Sequence, residues 1–282
     1  PENFWYFMLR RKLTGVYPFR AWDYDIVRGG AFYDLENTKI DGPLVSVVTR
    51  TYKGRDKLLL QCLQTVSNQT YEHVEHVIVE DGGDTMIETI AEYRDKYPSS
   101  NINYIPMDKV GRGHTGNRGL EACKGKYIVF LDDDDLFFLD HLEVCVSELE
   151  LDPDISAAYS LAWEVETEFD GNTYEERSHG TPPVLNQNFD YQVLKHHNFI
   201  PIQAIVFERS LYEQHGGFDS ELDNLEDWNL WVRFASTSKF KLIDKTTSMF
   251  RTPWDIGEKS RRQAILDNYL EVAIAKNNSY RP

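Results

Sequence analysis

The stretch YIVFLDDDDLFFLDH, residues 127–141, runs from an apolar segment straight into four consecutive aspartates. Aromatic and β-branched residues that stop at a polar break read as a buried strand. Four adjacent carboxylates repel one another, so the chain holds them against some counter-charge. A hard divalent cation takes oxygen ligands and leaves positions for substrate phosphates, which suits carboxylates at a strand end. Alternate residues of an extended chain share a face, so Asp132 and Asp134 point one way and Asp133 another. The competing reading is an acidic turn capping a helix at LFFLDHLEV, because carboxylates favour helix N-termini. Capping accounts for one or two aspartates, not four behind an apolar strand. The spaced ligands and glutamate of an EF-hand are missing.

Outward from this stretch the chain is rhythmic. LVSVVT (44–49) and HVEHVIVE (73–80) read as strands, and INYIPM (102–107) as a shorter one. Between them DKLLLQCLQTVSNQ and TMIETIAEYRDKY show helical spacing, and TGNRGLEACKGK reads as a helix closing at Gly125. Strands alternating with helices imply a mostly parallel central sheet flanked by helices, an α/β fold. Ligands bind such sheets beyond the carboxyl ends of the strands. Arg50–Thr51, Glu80–Asp81 and the aspartates fall there. Beyond residue 150, ISAAYSLAWEVETEF with Asp170–Gly171 reads as a hairpin, IPIQAIVFER and FKLIDKTTSMFR as strands, and NLEDWNLWVRFAS and EKSRRQAILDNYLEVAIAK as helices. The expected organisation is an N-terminal extension (1–42), a strand–helix half with the charged strand ends (43–150), and a second half (151–282) of the same domain, ending in a helix.

Composition bounds the partners. Lys and Arg total 30 against 46 Asp and Glu, a net charge of −16. That excludes nucleic acid as the main partner and leaves room for a small phosphate ligand. Cys62, Cys123 and Cys145 each lie in a segment that reads as helical. Buried free thiols in a reducing, cytoplasmic compartment follow. No apolar run reaches the ~18–20 residues a membrane-spanning helix needs. FWYFMLRRKL, near the start, reads as an aromatic extension packed on the main domain. Its basic triplet also suits peripheral contact with an anionic membrane at the inner face. The chain begins at Pro1 rather than Met and so reads as part of a longer one.

Asp81, at the end of its strand, can accept a hydrogen bond from a base edge that presents an N–H, as uracil and thymine do at N3. The order of motifs resembles the family 2 glycosyltransferases of the GT-A nucleotide-sugar fold. VSVVTRTYKGR, NQTYEHVEHVIVEDGGD, GNRGLEACKGKYIVFLDDDD and GGFDSELDNLEDWNLWVR are similar to that family's motifs, in the same order, over residues 43–252. The resemblance places Thr51 and Asp81 beside the nucleotide base, with Arg50 where the family usually has proline. It puts Arg112 near the donor and Asp133 against the ribose or sugar. It gives Asp134 the Mn²⁺ or Mg²⁺ ion, with Asp132 opening the metal motif, and makes Asp227 of the Glu226–Asp227 pair the general base. Glu226 is then a partner in capping or acceptor binding. Pro253 stands where many members carry a metal-binding histidine, which leaves Asp255 as the candidate third ligand.

The chemistry asks for these groups in its own right. Breaking a sugar–diphosphate bond builds charge on the phosphate, which a divalent ion stabilises by several kcal/mol. The acceptor hydroxyl needs a carboxylate to take its proton. One carboxylate cluster and one remote carboxylate suit a single inverting displacement. The resemblance therefore implies a UDP-sugar donor, with dTDP-sugar second, and a glycan or lipid-linked glycan acceptor. The rivals are a nucleotidyltransferase, for which TRTYKGR holds too few glycines, and a non-catalytic carbohydrate-binding domain. His196–His197 precede NFIPIQ, a region that closes over donor and acceptor in the family, and two adjacent histidines cannot both point one way, so at most one reads as functional. Trp228 and Trp231 read as core before sugar platforms, with Trp228 beside Asp227 able to border the acceptor, and His114 reads as a loop residue.

Overall fold

Alternation along each strand sends one set of side chains to each face of the sheet, and two apolar clusters result. Val48, Val77, Val79, Ile128 and Phe130 join one cluster. Their chain neighbours Val45, Val47, Tyr127, Val129 and Leu131 join the other. This computed structural model describes residues 41–169 and 174–280. All but the last two residues of the expected N-terminal extension lie outside them, as does the Asp170–Gly171 turn.

The strands are β1 (Val45–Thr51), β2 (Val74–Asp81), β3 (Ile102–Met107), β4 (Tyr127–Phe130), β5 (Leu136–Phe137), β6 (Ile155–Phe169), β7 (Tyr174–Gly180), β8 (Ile205–Glu208) and β9 (Lys239–Pro253). The helices are α1 (Asp56–Ser67), α2 (Ile87–Lys96), α3 (Arg112–Ala122), α4 (His141–Leu151), α5 (Tyr191–His196), α6 (Arg209–His215), α7 (Glu226–Ala235) and α8 (Ile256–Ser279). Among the described residues they build one nine-stranded sheet, ordered β3-β2-β1-β4-β8-β6-β9-β5, with β7 paired to β6. The first four of these strands are parallel neighbours, as the βα rhythm predicts. β8 departs from the rhythm. It comes from the second half of the chain yet runs antiparallel between β4 and β6. The long β6 and β9 run parallel to each other. The result is a mixed α/β fold with a mostly parallel central sheet.

Three local readings are corrected. The helix expected over residues 115–126 begins at Arg112 and ends at Ala122. It ends there because the buried carboxylate of Glu75 accepts from the Lys124 amide (2.6 Å), and the Ser46 hydroxyl from the Gly125 amide (2.8 Å), which draws the chain into β4. Cys123 is therefore extended rather than helical, although all three thiols are free and buried. His114, read as a loop residue, is an exposed position of α3. The acidic run caps no helix: the strand β5 follows it, paired with β9, and α4 begins only at His141.

α3 lies unusually close to the sheet. A Cβ at Gly119 would sit 2.3 Å from Cγ1 of Val48, and one at Gly116 would sit 2.4 Å from the Phe218 ring. Only glycine lets the helix backbone approach β1 this closely. We predict that Gly119→Ala lowers stability by about 1–3 kcal/mol, the usual cost of overpacking a core. Chemical denaturation of the variant against the parent protein measures it, and an unchanged midpoint would show that Val48 yields without cost.

Candidate active site

β1, β2 and β4 end side by side, so the residues just past them share one rim. The four aspartates form the turn from β4 to β5, and each finds a different environment. Asp132 receives a two-pronged hydrogen bond from Arg50, through Nε at 2.8 Å and Nη2 at 2.7 Å. Asp133 is buried, accepts from the Thr51 hydroxyl at 2.7 Å, and pairs with Arg55 at 2.7 Å. Asp134 opens on the cleft with Arg55 Nη2 at 2.7 Å from its Oδ2. Asp135 is buried, with the Arg251 amide 3.4 Å from Oδ1. The alternation expected of extended chain does not hold here: the run is a turn closed by the Asp135 amide on the Asp132 carbonyl (3.0 Å), and Asp133 and Asp134 share Arg55 while Asp132 goes to Arg50.

The carboxylates crowd one another. Burial pushes Asp133 up to about 6, against the hydrogen bonds from Arg55. Burial, then the charges of Asp134 and Asp132, push Asp135 well above the usual carboxylate range. Burial would raise Asp132 too, but the Arg50 guanidinium overrides it and holds the group below its ordinary value. Arg251 supports the turn from the far side by donating to the Asp134 carbonyl and, at 2.9 Å, to Gln61.

Two clefts meet at this turn. The smaller, about 310 Å³, is lined by Thr51, Arg55, Asp81, Lys109 and Asp133. The larger, about 710 Å³, is lined by Asp135, Asn198, Asp227 and residues of α8 among others. Arg50, Tyr52, Arg112, Asp132 and Asp134 line both. Asp81 is partly committed: its carboxylate accepts the Val110 amide at 2.7 Å and the Gly111 amide at 3.3 Å. Glu226 is buried and bound to Arg50 at 2.9 Å, with Arg112 at 3.8 Å. Asp227 opens α7, lines the larger cleft and accepts from Asn198 at 3.2 Å. Burial, and then the neighbouring Glu226 charge, push it up to about 6. The structure thus gathers the predicted site residues around the two clefts, Asp255 excepted, with Arg50, Arg112, Asp132 and Asp134 shared by both.

Trp228 and Trp231 are core, and the Trp228 indole donates to the Leu194 carbonyl. His196 and His197 close a side pocket against α8, away from the aspartates. Asp255 caps α8, accepting the Glu258 amide at 2.9 Å, so it is engaged as a helix cap rather than placed as a ligand. Sequence reasoning missed Arg55, Asn198 and Arg251. Their positions in TRTYKGR, HHNFIPIQ and MFR were visible, but nothing local showed that they face the aspartates.

A divalent ion fits the donor set. Asp134 faces the cleft, and Asp135 carries a charge suppressed by burial and then by Asp134 and Asp132, which a nearby cation would favour. Both are hard oxygen donors. Among the described residues no three His, Cys, Asp or Glu side chains close into a complete metal cage. Asp132 already gives both oxygens to Arg50 and is the less available of the two expected ligands.

The profile of the family described as Glycosyl transferase family 2 matches residues 46–216. An uncharacterized glycosyltransferase of Methanocaldococcus jannaschii is 27% identical over 222 residues, covering 76% of this chain and 73% of that protein. The Pyrobaculum calidifontis mannosyltransferase PcManGT, solved with GDP-Man and Mn²⁺, superposes with a TM-score of 0.59 at 18% identity, over 92% of this chain and 80% of that one. TarS of S. aureus, solved with UDP-GlcNAc, gives 0.59 at 15% identity over 77% of this chain, which spans 61% of the TarS chain. The likeness to these two structures shows the GT-A fold. With the order of strands, the acidic turn and the profile match in agreement, the chain belongs to glycosyl transferase family 2 and is a glycosyltransferase.

Proposed function

We propose that the two clefts divide one reaction between them. The smaller receives the nucleoside diphosphate of a sugar donor, UDP first and dTDP second, and the larger receives a hydroxyl of a glycan or lipid-linked glycan acceptor. One observation carries this reading. Asp132 and Asp134 stand in both walls, Asp81 and Asp133 only in the smaller cleft, and Asp227 only in the larger.

Within that arrangement Asp133, with Thr51 and Arg55 behind it, meets the ribose or sugar. Arg112, half-exposed at the junction, faces the donor phosphates. Asp227 stands on the acceptor side and accepts the proton of the attacking hydroxyl. The new bond forms between the acceptor oxygen and the anomeric carbon, the bond to the diphosphate breaks with its electron pair, and the configuration inverts. A Mn²⁺ or Mg²⁺ ion at Asp134, beside Asp132 and Asp135, would supply a Lewis acid for the departing charge. No helix of the described residues is long and apolar enough to cross a membrane. The aromatic and basic run at residues 4–13 suits peripheral contact at the inner face of the membrane.

Three outcomes are expected. UDP should raise the melting temperature more in Mn²⁺ than in EDTA, by linkage to the folded state, and Asp134→Ala should erase the difference. Equal stabilisation in chelator would remove the metal from the site.

Asp81 keeps lone pairs beyond those given to Val110 and Gly111. UDP and dTDP should therefore outbind CDP several-fold, because a buried unpaired acceptor costs about 1–3 kcal/mol. Equal affinity for CDP would take Asp81 out of base recognition.

Asp227→Asn keeps the size of the side chain and loses the base, so turnover should fall by ~10²–10⁴ with nucleotide binding intact. A base must be ionised to act. With its proton affinity raised to about 6, the parent rate should climb as pH rises through that value and level off above it. A flat profile between pH 5 and 7, or full turnover in the Asn variant, would exclude Asp227 as the base.

A further inference from the structure

Leu225, the residue before α7, has φ +62° and ψ +18°. Among the described residues it is the one non-glycine residue in the left-handed region. A branched side chain pays for that conformation in steric strain, which persists only where the surroundings impose it. The surroundings here are specific. Glu226, next in the chain, is drawn into the protein by Arg50, whose Nη1 donates to its Oε1 at 2.9 Å. Asp227, after it, emerges into the larger cleft and meets Asn198. Helix geometry turns the two side chains about 100° apart, and the left-handed Leu225 sets the angle at which the helix carrying both enters the site.

Arg50 cannot follow Glu226 if the turn relaxes. Its other edge is fixed by the two hydrogen bonds to Asp132. Phe130 and Phe218 pack on each other with centroids 4.9 Å apart and together back its guanidinium, whose carbon lies 5.9 Å and 5.6 Å from the two ring centroids. Phe218 in turn occupies space left open by Gly116. A guanidinium offers a rigid fork and a further N–H, and can hold two carboxylates at fixed geometry; an ammonium is a point charge that cannot.

We infer that Arg50 is a positioning residue: it ties the acidic turn to Glu226, holds Leu225 in its left-handed conformation, and so aims Asp227 at the acceptor cleft. This rests on the transferase reading and adds to it a residue that acts through Glu226 on the aim of Asp227. The two-carboxylate grip sets the separation between the donor-side turn and the catalytic carboxylate.

Crystal structures of the Arg50→Lys and Glu226→Ala variants test the geometry without turnover. In both, Leu225 should return to negative φ and Asp227 should leave Asn198. Glu226→Gln keeps an acceptor for Arg50 and should keep the turn. In kinetics with the UDP-sugar that turns over fastest in a donor panel, Glu226→Ala should lower kcat by about 10–100-fold, the scale of a misplacement near 1 Å. The donor KM and the stabilisation by UDP should hold, because Asp132 keeps its partner. Leu225→Gly, which adopts positive φ freely, should restore part of the rate when combined with Arg50→Lys. A left-handed Leu225 and an unchanged kcat in Arg50→Lys and Glu226→Ala would overturn the proposal, as would a loss confined to donor KM or a double variant no faster than Arg50→Lys. Asp227→Asn in the same assay separates the two levels. Full activity there ends the transferase-base reading itself; an inactive Asp227→Asn beside unimpaired Arg50→Lys and Glu226→Ala ends only this inference.

Discussion

A folded chain holds several carboxylates in one half-dry cleft only if each is paired, hydrogen-bonded or neutralised, because an uncompensated buried charge costs several kcal/mol. That constraint organises the structure. The acidic turn after β4, together with Glu226 and Asp227, concentrates negative charge at the carboxyl edge of the sheet. Arginines from three separate elements converge to answer it: Arg50 at the end of β1, Arg55 before α1, and Arg251 on β9. The parallel strands bring the aspartates to the edge, and the arginines decide how each one is used. Arg50 withdraws Asp132 into a fixed pair, Arg55 orders Asp133 and touches Asp134, and Arg251 braces the turn. What remains open to the cleft is a small number of oxygens with a surplus of charge, which is the condition for taking a cation together with a phosphate.

Much of this was legible in the sequence because its signals are local. β-branched runs gave β1, β2 and β4, and the period of α1 and α7 gave helices whose apolar faces are buried. The acidic run stood out as a cluster that a cap could not explain. The failures have a common cause. Arg50 and Glu226 are 176 residues apart, and no window contains both. α3 stops at Ala122 because of Glu75, 49 residues earlier than the amide it binds. The left-handed Leu225 has no local signature, since leucine is a poor choice for that conformation. The antiparallel insertion of β8 is likewise a tertiary fact, because four residues of IVFE carry no mark of their neighbours.

The two clefts differ in what built them. The smaller belongs to strand ends and the tight loops that follow, including the β3–α3 loop drawn onto Asp81 by two backbone amides. The larger is walled by segments that join or follow the sheet: residues 198–203, the start of α7, the end of β9 and the first turns of α8. Most residues from Ile256 to Leu270 are exposed, Ile256 and Ile265 among them. The smaller cleft is therefore set by strand ends and their loops, and the larger adds to them elements from outside the parallel strands.

The position of β8 bears on how the chain reaches this state. β4, which delivers the aspartates, pairs on one side with β1 and on the other with β8. Its second partner is not synthesised until residues 205–208. A nascent chain ending near residue 150 leaves β4 as an open edge, a strand buried on both faces in the finished sheet and ready to pair with any other. Closing that edge brings Glu208 to Tyr127, a loop as long as the one that brings Val45 to Tyr127 on the other side. The aspartates that crowd the finished cleft also put charge at the end of that unfinished edge, and charge at an exposed edge discourages wrong pairing.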